Sequence, residues 1–151
     1  MPARYTAGAM MFANASREEL RRRYITAWQR HREGLPLEPL DTQIADVIAL
    51  HPEFHALLED PDALTGEFTV EAGHANPFLH MGLHLGVREQ LATNRPAGIV
   101  DLHARLARRL GSAHDAEHRM ADALAETLWE AQRAGRAPDE AAYLERLRRL
   151  A

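Results

Sequence analysis

The sequence predicts an all-α protein, a helical bundle of about five to six helices with one long loop. Three observations carry this prediction. Apolar residues recur with helical spacing along most of the chain, residues typical of helix starts and ends separate these stretches, and only residues 67–71 read as a strand. With 151 residues, of which 46% are hydrophobic and 26% charged, the chain has the size and composition of one globular domain.

The first half of the chain contains three predicted helices. Ser16 and Glu19 form a capping box at the start of the first, which Gly34 ends, and its apolar stripe includes Trp28. The second is a short helix that Asp41 caps and His51 ends, because proline cannot continue it. The third runs from Pro52 to about Glu59, and residues 60–75 are expected to form the long loop.

The second half contains longer helices with clear boundaries. The Asn76 amide and the Ser112 hydroxyl are suited to capping helix starts, and Gly111 and Gly135 are suited to ending helices. The predicted helices are Asn76 to Gln90 or Leu91, Ile99 to Leu110, Ser112 to Ala134 and Pro138 to Leu150. We expect Trp129, like Trp28, to lie in the core, and Gly82 to allow close helix packing.

Charge and composition exclude several classes of function. The formal net charge is -4, so we expect no nucleic-acid partner. No apolar run approaches the roughly 20 residues of a membrane span, so we expect no membrane partner and a cytoplasmic location. The chain has no cysteine, so any metal would have to be bound by nitrogen and oxygen ligands.

Three histidine pairs share one spacing. The pairs are His51/His55, His80/His84 and His114/His118, each His-x-x-x-His and each close to a predicted helix start. On a helix, side chains four residues apart lie on the same face, so both imidazoles of a pair can reach one ion at roughly 2.0–2.1 Å. Six buried imidazoles without partners would be costly. The pattern therefore predicts that the pairs converge on a buried metal site.

Carboxylates near these pairs are candidates to complete the metal shell or to orient it. They are Glu71, Glu89 and Glu117. Nitrogen ligands with a few carboxylates suit iron or zinc, among other metals, and this number of ligands would serve two metals. A histidine-rich dinuclear non-haem iron site, as in hemerythrin, is possible by analogy, and so is a zinc site.

Two other functions fit the same residues. His114 to His118 matches the His-x-x-Glu-His pattern of inverted zinc peptidases, in which Glu117 would activate water as the catalytic residue. Alternatively, the histidines cap and pack helices in a non-enzymatic protein-interaction module. The partner would then be a protein rather than a small-molecule substrate, and homo-oligomers are possible. The sequence leaves open whether the chain is an enzyme.

Several motifs resemble a proteobacterial family of small proteins defined as a domain of unknown function. They are HPEFH at 51–55, NPFLHMGLH at 76–84 and HDAEH at 114–118. The resemblance begins at about Met11, which implies a single domain over 11–151 and an N-terminal extension at 1–10. It also implies a bacterial, cytoplasmic setting, and it supplies no activity.

Overall fold

A computed structural model describes residues 17–60, residue 62 and residues 76–151. Within these ranges every regular element is helical, which confirms the all-α class. The described ranges hold seven α-helices, more than the five to six predicted. The helices are α1 Arg17–Arg32, α2 Pro39–Ala49, α3 His55–Leu58, α4 Pro77–Thr93, α5 Ile99–Leu110, α6 Ala113–Ala134 and α7 Glu140–Leu150. A 3-10 turn, Pro52–Phe54, lies between α2 and α3.

Several expectations lie outside the described residues. They are the N-terminal extension at 1–10, the Ser16 cap, the strand-like run at 67–71, the candidate ligand Glu71 and most of the long loop. The chain divides into two compact units, an N-terminal unit that ends at Leu85 and a C-terminal unit from Gly86 to Ala151. A single domain over 11–151 stays a prediction.

The N-terminal unit is built on the packing of α1 against α2. Tyr24 and Trp28 on α1, and Ile44 and Ile48 on α2, belong to one buried cluster. The first turns of α4 complete the cluster with Phe78, Met81 and Leu85. Burial of each such side chain contributes roughly 1.5–3 kcal/mol, so this apolar core is the main force holding the unit together.

Helix α2 begins earlier than the sequence indicated. The expectation that Asp41 caps this helix is wrong, because Pro39 occupies its first turn and Glu38 is the capping residue. Proline has no backbone N–H and its φ is preset, so the first turn of a helix favours it. Asp41 instead accepts a hydrogen bond from Arg23 Nε on α1 at 2.9 Å.

Pro52 separates α2 from a short helical stretch that consists of two elements. Helix α2 ends at Ala49, and His51 leaves helical geometry with φ -123° and ψ 67°. Residues from Pro52 then form the 3-10 turn, and α3 is a single turn. The expected continuous helix from Pro52 to Glu59 is therefore wrong, because its first three residues have the tighter 3-10 geometry.

Helix α4 starts where the sequence predicted. Asn76 Oδ1 accepts hydrogen bonds from the backbone N–H groups of Phe78 at 3.0 Å and Leu79 at 3.2 Å. These bonds satisfy two of the donors that the first turn of a helix leaves unpaired. The helix continues to Thr93, slightly beyond the expected end, and gives way to Asn94, whose φ is +49°.

The C-terminal unit consists of the end of α4 and of α5, α6 and α7, with α6 packed against both of its neighbours in sequence, α5 and α7. Ser112 Oγ caps α6 by accepting from Asp115 N–H at 3.1 Å, as predicted. The prediction that Trp129 lies in the core is wrong, because it is 56% exposed on the outer face of α6. In the described part of the chain no helix is both long and apolar enough to cross a membrane.

Candidate metal centre

Three histidines of the N-terminal unit bring their rings together. One ring nitrogen each from His51, His80 and His84 lies within 4.8 Å of the others, and the Nε2 atoms of His51 and His80 are 3.1 Å apart. Two ligands bound to one tetrahedral ion at about 2.0–2.1 Å lie roughly 3.4 Å apart. The separation of the His51 and His80 nitrogens is therefore close to that in a shared tetrahedral site, and small side-chain movements would bring the His84 nitrogen to the same ion.

The rings meet by their edges rather than by stacking. The His51 ring is 4.9 Å from the His80 ring and 5.1 Å from the His84 ring, between centroids, with interplanar angles of 80° and 88°. His80 and His84 are four residues apart on α4, so the helix places them on one face. The edge of an imidazole carries its nitrogen lone pair, so this geometry suits coordination of an ion.

Hydrogen bonding determines which nitrogen of His51 can act as a ligand. His51 Nδ1 lies 2.7 Å from the backbone carbonyl oxygen of Val47, in the last turn of α2. A carbonyl oxygen only accepts hydrogen bonds, so Nδ1 carries the proton and donates it. In the neutral ring, Nε2 is then unprotonated and faces His80. A hydrogen bond from the second ring nitrogen to a backbone carbonyl is one of the contacts that orient histidine ligands in metal sites.

Burial favours the neutral, ligand-competent form of His51. His51 and His84 are fully buried, whereas His80 is half-buried. Burial lowers the pKa of His51 below its ordinary value of 6.5, with smaller lowering contributions from His84 and His80. The hydrogen bond to Val47 and the carboxylate of Glu53 act in the opposite direction. A neutral imidazole is needed for metal binding, so the surroundings of His51 favour its role as a ligand.

His55 lies outside the cluster, unlike its predicted partner His51. Its Nε2 donates to the backbone carbonyl of Ile48 at 2.8 Å, and its ring packs on Trp28 with centroids 4.3 Å apart. The 3-10 turn explains the difference, because residues four apart share a face only in an α-helix. His55 therefore hydrogen-bonds a carbonyl in the last turn of α2 and packs against Trp28 on α1, which is the capping and packing role that the alternative interpretation assigned to the histidines.

Phe54 lies beside His51, in the position predicted for His55. In 3-10 geometry, side chains three residues apart eclipse each other. Accordingly, the Phe54 ring stacks on His51 with centroids 5.6 Å apart and an interplanar angle of 11°. Its centroid is also 5.9 Å from that of His80. The sequence pattern predicted neither the stacking of Phe54 on His51 nor the hydrogen bond from His51 to the Val47 carbonyl. Pro52 was the signal that the α-helical spacing of side chains is interrupted at this point.

The third histidine pair belongs to the C-terminal unit. His114 and His118 lie one turn apart at the start of α6, and their ring centroids are 4.2 Å apart. This pair has the geometry expected of a helical His-x-x-x-His motif. The convergence of all three pairs on one site stays a prediction from their spacing.

Neither Glu89 nor Glu117, the two predicted carboxylates that the structure describes, is in the three-histidine cluster. Glu117 is buried and forms an ion pair with Arg88, with 3.1 Å between Oε1 and Nε. Glu89 is five residues beyond His84 on α4, so the two side chains point roughly 140° apart around the helix. Glu71 lies outside the described residues.

Comparison with known sequences confirms the family resemblance. The chain belongs to a family described as a domain of unknown function (DUF1841), which matches residues 16–149. No curated protein and no solved structure matches the chain.

Proposed function

We propose that this member of the DUF1841 family is a metal-binding protein in which His51, His80 and His84 hold a transition-metal ion. The observation that supports the proposal best is the meeting of three ring nitrogens within 4.8 Å in a largely buried place. One ion can bind all three nitrogens at once, and neutral histidine nitrogens are common ligands of zinc and other transition metals.

The donor set favours zinc over iron. Zinc accepts three histidines and keeps one coordination position open for water or substrate, whereas non-haem iron sites in oxygenases combine two histidines with a carboxylate. No carboxylate of the described residues joins the cluster. Zinc in such a site would supply Lewis acidity and lower the pKa of a bound water. Iron, including a dinuclear iron site, stays the alternative.

The repeated spacing leads us to propose that the third pair contributes to metal binding as well. His118 is the member to test first, since it is half-buried on α6 and continues the His-x-x-x-His pattern. This part of the proposal rests on the sequence pattern, whereas the part concerning His51, His80 and His84 rests on their geometry. Separate variants therefore test them.

The hydrolase alternative with Glu117 as the base receives less support. The Arg88 guanidinium neutralises the Glu117 carboxylate, and the side chain is 9% exposed. A carboxylate that must take a proton from water needs access to that water and no competing cation. The ion pair is better suited to packing α4 against α6 within the C-terminal unit.

Titration of zinc into the metal-free full chain by calorimetry tests the proposal. His51→Ala, His80→Ala and His84→Ala should each weaken zinc binding by more than the roughly 10–100-fold that loss of an outer-shell partner costs. His31→Ala is the matched control, because His31 is exposed and lies in the same unit. It should bind zinc as the unmodified chain does.

Each outcome bears on a separate claim. Unchanged zinc affinity in all three cluster variants would overturn the proposed site and favour the interaction module. His118→Ala, compared with His103→Ala from the same unit, tests the third pair in the same way. Equal affinity of these two variants would exclude His118 as a ligand and leave the cluster variants as the test of the main site.

A further inference from the structure

Among the residues that the structure describes, the cluster offers an ion no negative charge. Its three members are imidazoles, which bind metals in their neutral form, and no carboxylate of the described residues lies among them. A fourth imidazole from the third pair would not change the total ligand charge, because it too is neutral. A divalent ion bound by these imidazoles alone would therefore retain its full double charge.

In these surroundings, an uncompensated charge on the metal would be strongly unfavourable in free energy. His51 and His84 have no exposed surface, and the apolar ring of Phe54 stacks on His51. Electrostatic interactions are strong in such a poorly solvated place, and an uncompensated buried charge carries a large desolvation penalty. Glu53, the nearest acidic residue along the chain, is exposed and outside the cluster, so it compensates the charge only through solvent.

We propose that the metal-loaded site is a receptor for a small monoanion, which occupies an open coordination position. This inference rests on the proposed metal binding and specifies the ligand class of that site. Hydroxide and small carboxylates share the required chemistry, which is one negative charge and an oxygen lone pair directed at the metal. A neutral substrate would be bound less well because it offsets none of the metal charge, whereas a monoanion offsets half of it.

The route to the open position lies on the His80 side. His80 is half-buried, whereas the other two members are closed to solvent. Phe54 is also partly exposed and lies close to His80, with 5.9 Å between ring centroids. A small anion can approach past these two side chains, and the bulk of Phe54 limits the size of what enters.

Cobalt(II) reports on this inference because its visible absorption depends on the number and kind of its ligands. The full chain is loaded with cobalt(II), and azide is added as the probe monoanion at constant ionic strength. We expect saturable changes in the cobalt bands. Perchlorate, an anion that coordinates metals very weakly, is the matched control and should leave the bands unchanged.

The possible outcomes distinguish this inference from the proposal of metal binding on which it rests. If cobalt(II) fails to bind, the proposed metal site itself is overturned. If cobalt(II) binds and azide changes nothing, the metal site stands and the anion inference is overturned. If azide changes the cobalt bands only in the Glu71→Gln variant, the chain supplies its own negative ligand, which also overturns the inference.

Phe54→Ala should admit acetate more readily than the unmodified chain does, whereas equal acetate affinity would contradict the role of Phe54.

Discussion

At the scale of single residues, His51 meets two requirements with one ring. Its Nδ1 donates to the Val47 carbonyl at the end of α2, and its Nε2 lies 3.1 Å from His80 Nε2 in the cluster. The first contact fixes the tautomer that the second needs. His55 uses its Nε2 in the first way only, by donating to the Ile48 carbonyl. Two histidines four residues apart therefore have different roles.

His55→Ala tests this division of roles. The variant loses the hydrogen bond to Ile48 and the packing on Trp28, so we expect the free energy of unfolding to fall by about 1–2 kcal/mol. Zinc affinity, measured by calorimetry, should be unchanged. His31→Ala serves as the control for the loss of an exposed imidazole and should alter stability by no more than about 0.5 kcal/mol. A loss of zinc binding in His55→Ala would contradict the account.

At the scale of elements, the 3-10 turn shows where prediction from sequence succeeds and where it stops. Pro52 correctly indicated a break after α2, and Asn76 correctly indicated the start of α4. Helical spacing does not hold across this break, so His55 does not lie beside His51 as predicted, and Phe54 does. For His80 and His84 the helix is continuous, and the structure brings both into the cluster.

Gly82 lies within α4, between the two clustered histidines of that helix. A Cβ added there would lie 3.7 Å from the Tyr24 hydroxyl, which is an ordinary van der Waals distance. The close helix approach inferred from this glycine is therefore not so tight as to exclude a methyl group. Gly82→Ala should raise the free energy of unfolding by about 0.5–1 kcal/mol, because alanine loses less entropy in a helix.

Denaturant unfolding of Gly82→Ala against the unmodified chain measures this effect. Gly98→Ala is an informative comparison, because Gly98 has φ +92° and open space around it, so only backbone strain opposes alanine there. We expect Gly98→Ala to be destabilised. A Gly82→Ala variant that unfolds more easily than the parent would show that the helices cannot accept the added methyl group.

At the scale of the whole molecule, the sequence determined the class of fold and left the site incomplete. Helical periodicity and capping residues predicted the all-α class, because both are local properties of the chain. The composition of the site depends on contacts between distant segments, such as His51 with His84, which local patterns do not encode. The third pair and Glu71 illustrate this point, since their part in metal binding stays a prediction.

Metal binding should also stabilise the fold. An ion that binds the folded chain and not the unfolded one stabilises it by about 2.7 kcal/mol at a concentration one hundred times its Kd. Zinc should therefore raise the Tm of the unmodified chain, measured by calorimetric scanning, and a chelator should reverse the rise. His80→Ala, which retains the buried His51 and His84, should show no such rise. An equal rise in this variant would place the stabilising ion elsewhere.

The most direct test of the central claim is elemental analysis of the full chain, purified without a histidine tag and without added metal. The account predicts about one equivalent of zinc or iron per chain, or more if the site is dinuclear, and a clear loss of it in His84→Ala purified in parallel. A chain that is metal-free as purified, and that stays empty after incubation with zinc and with iron, would contradict it.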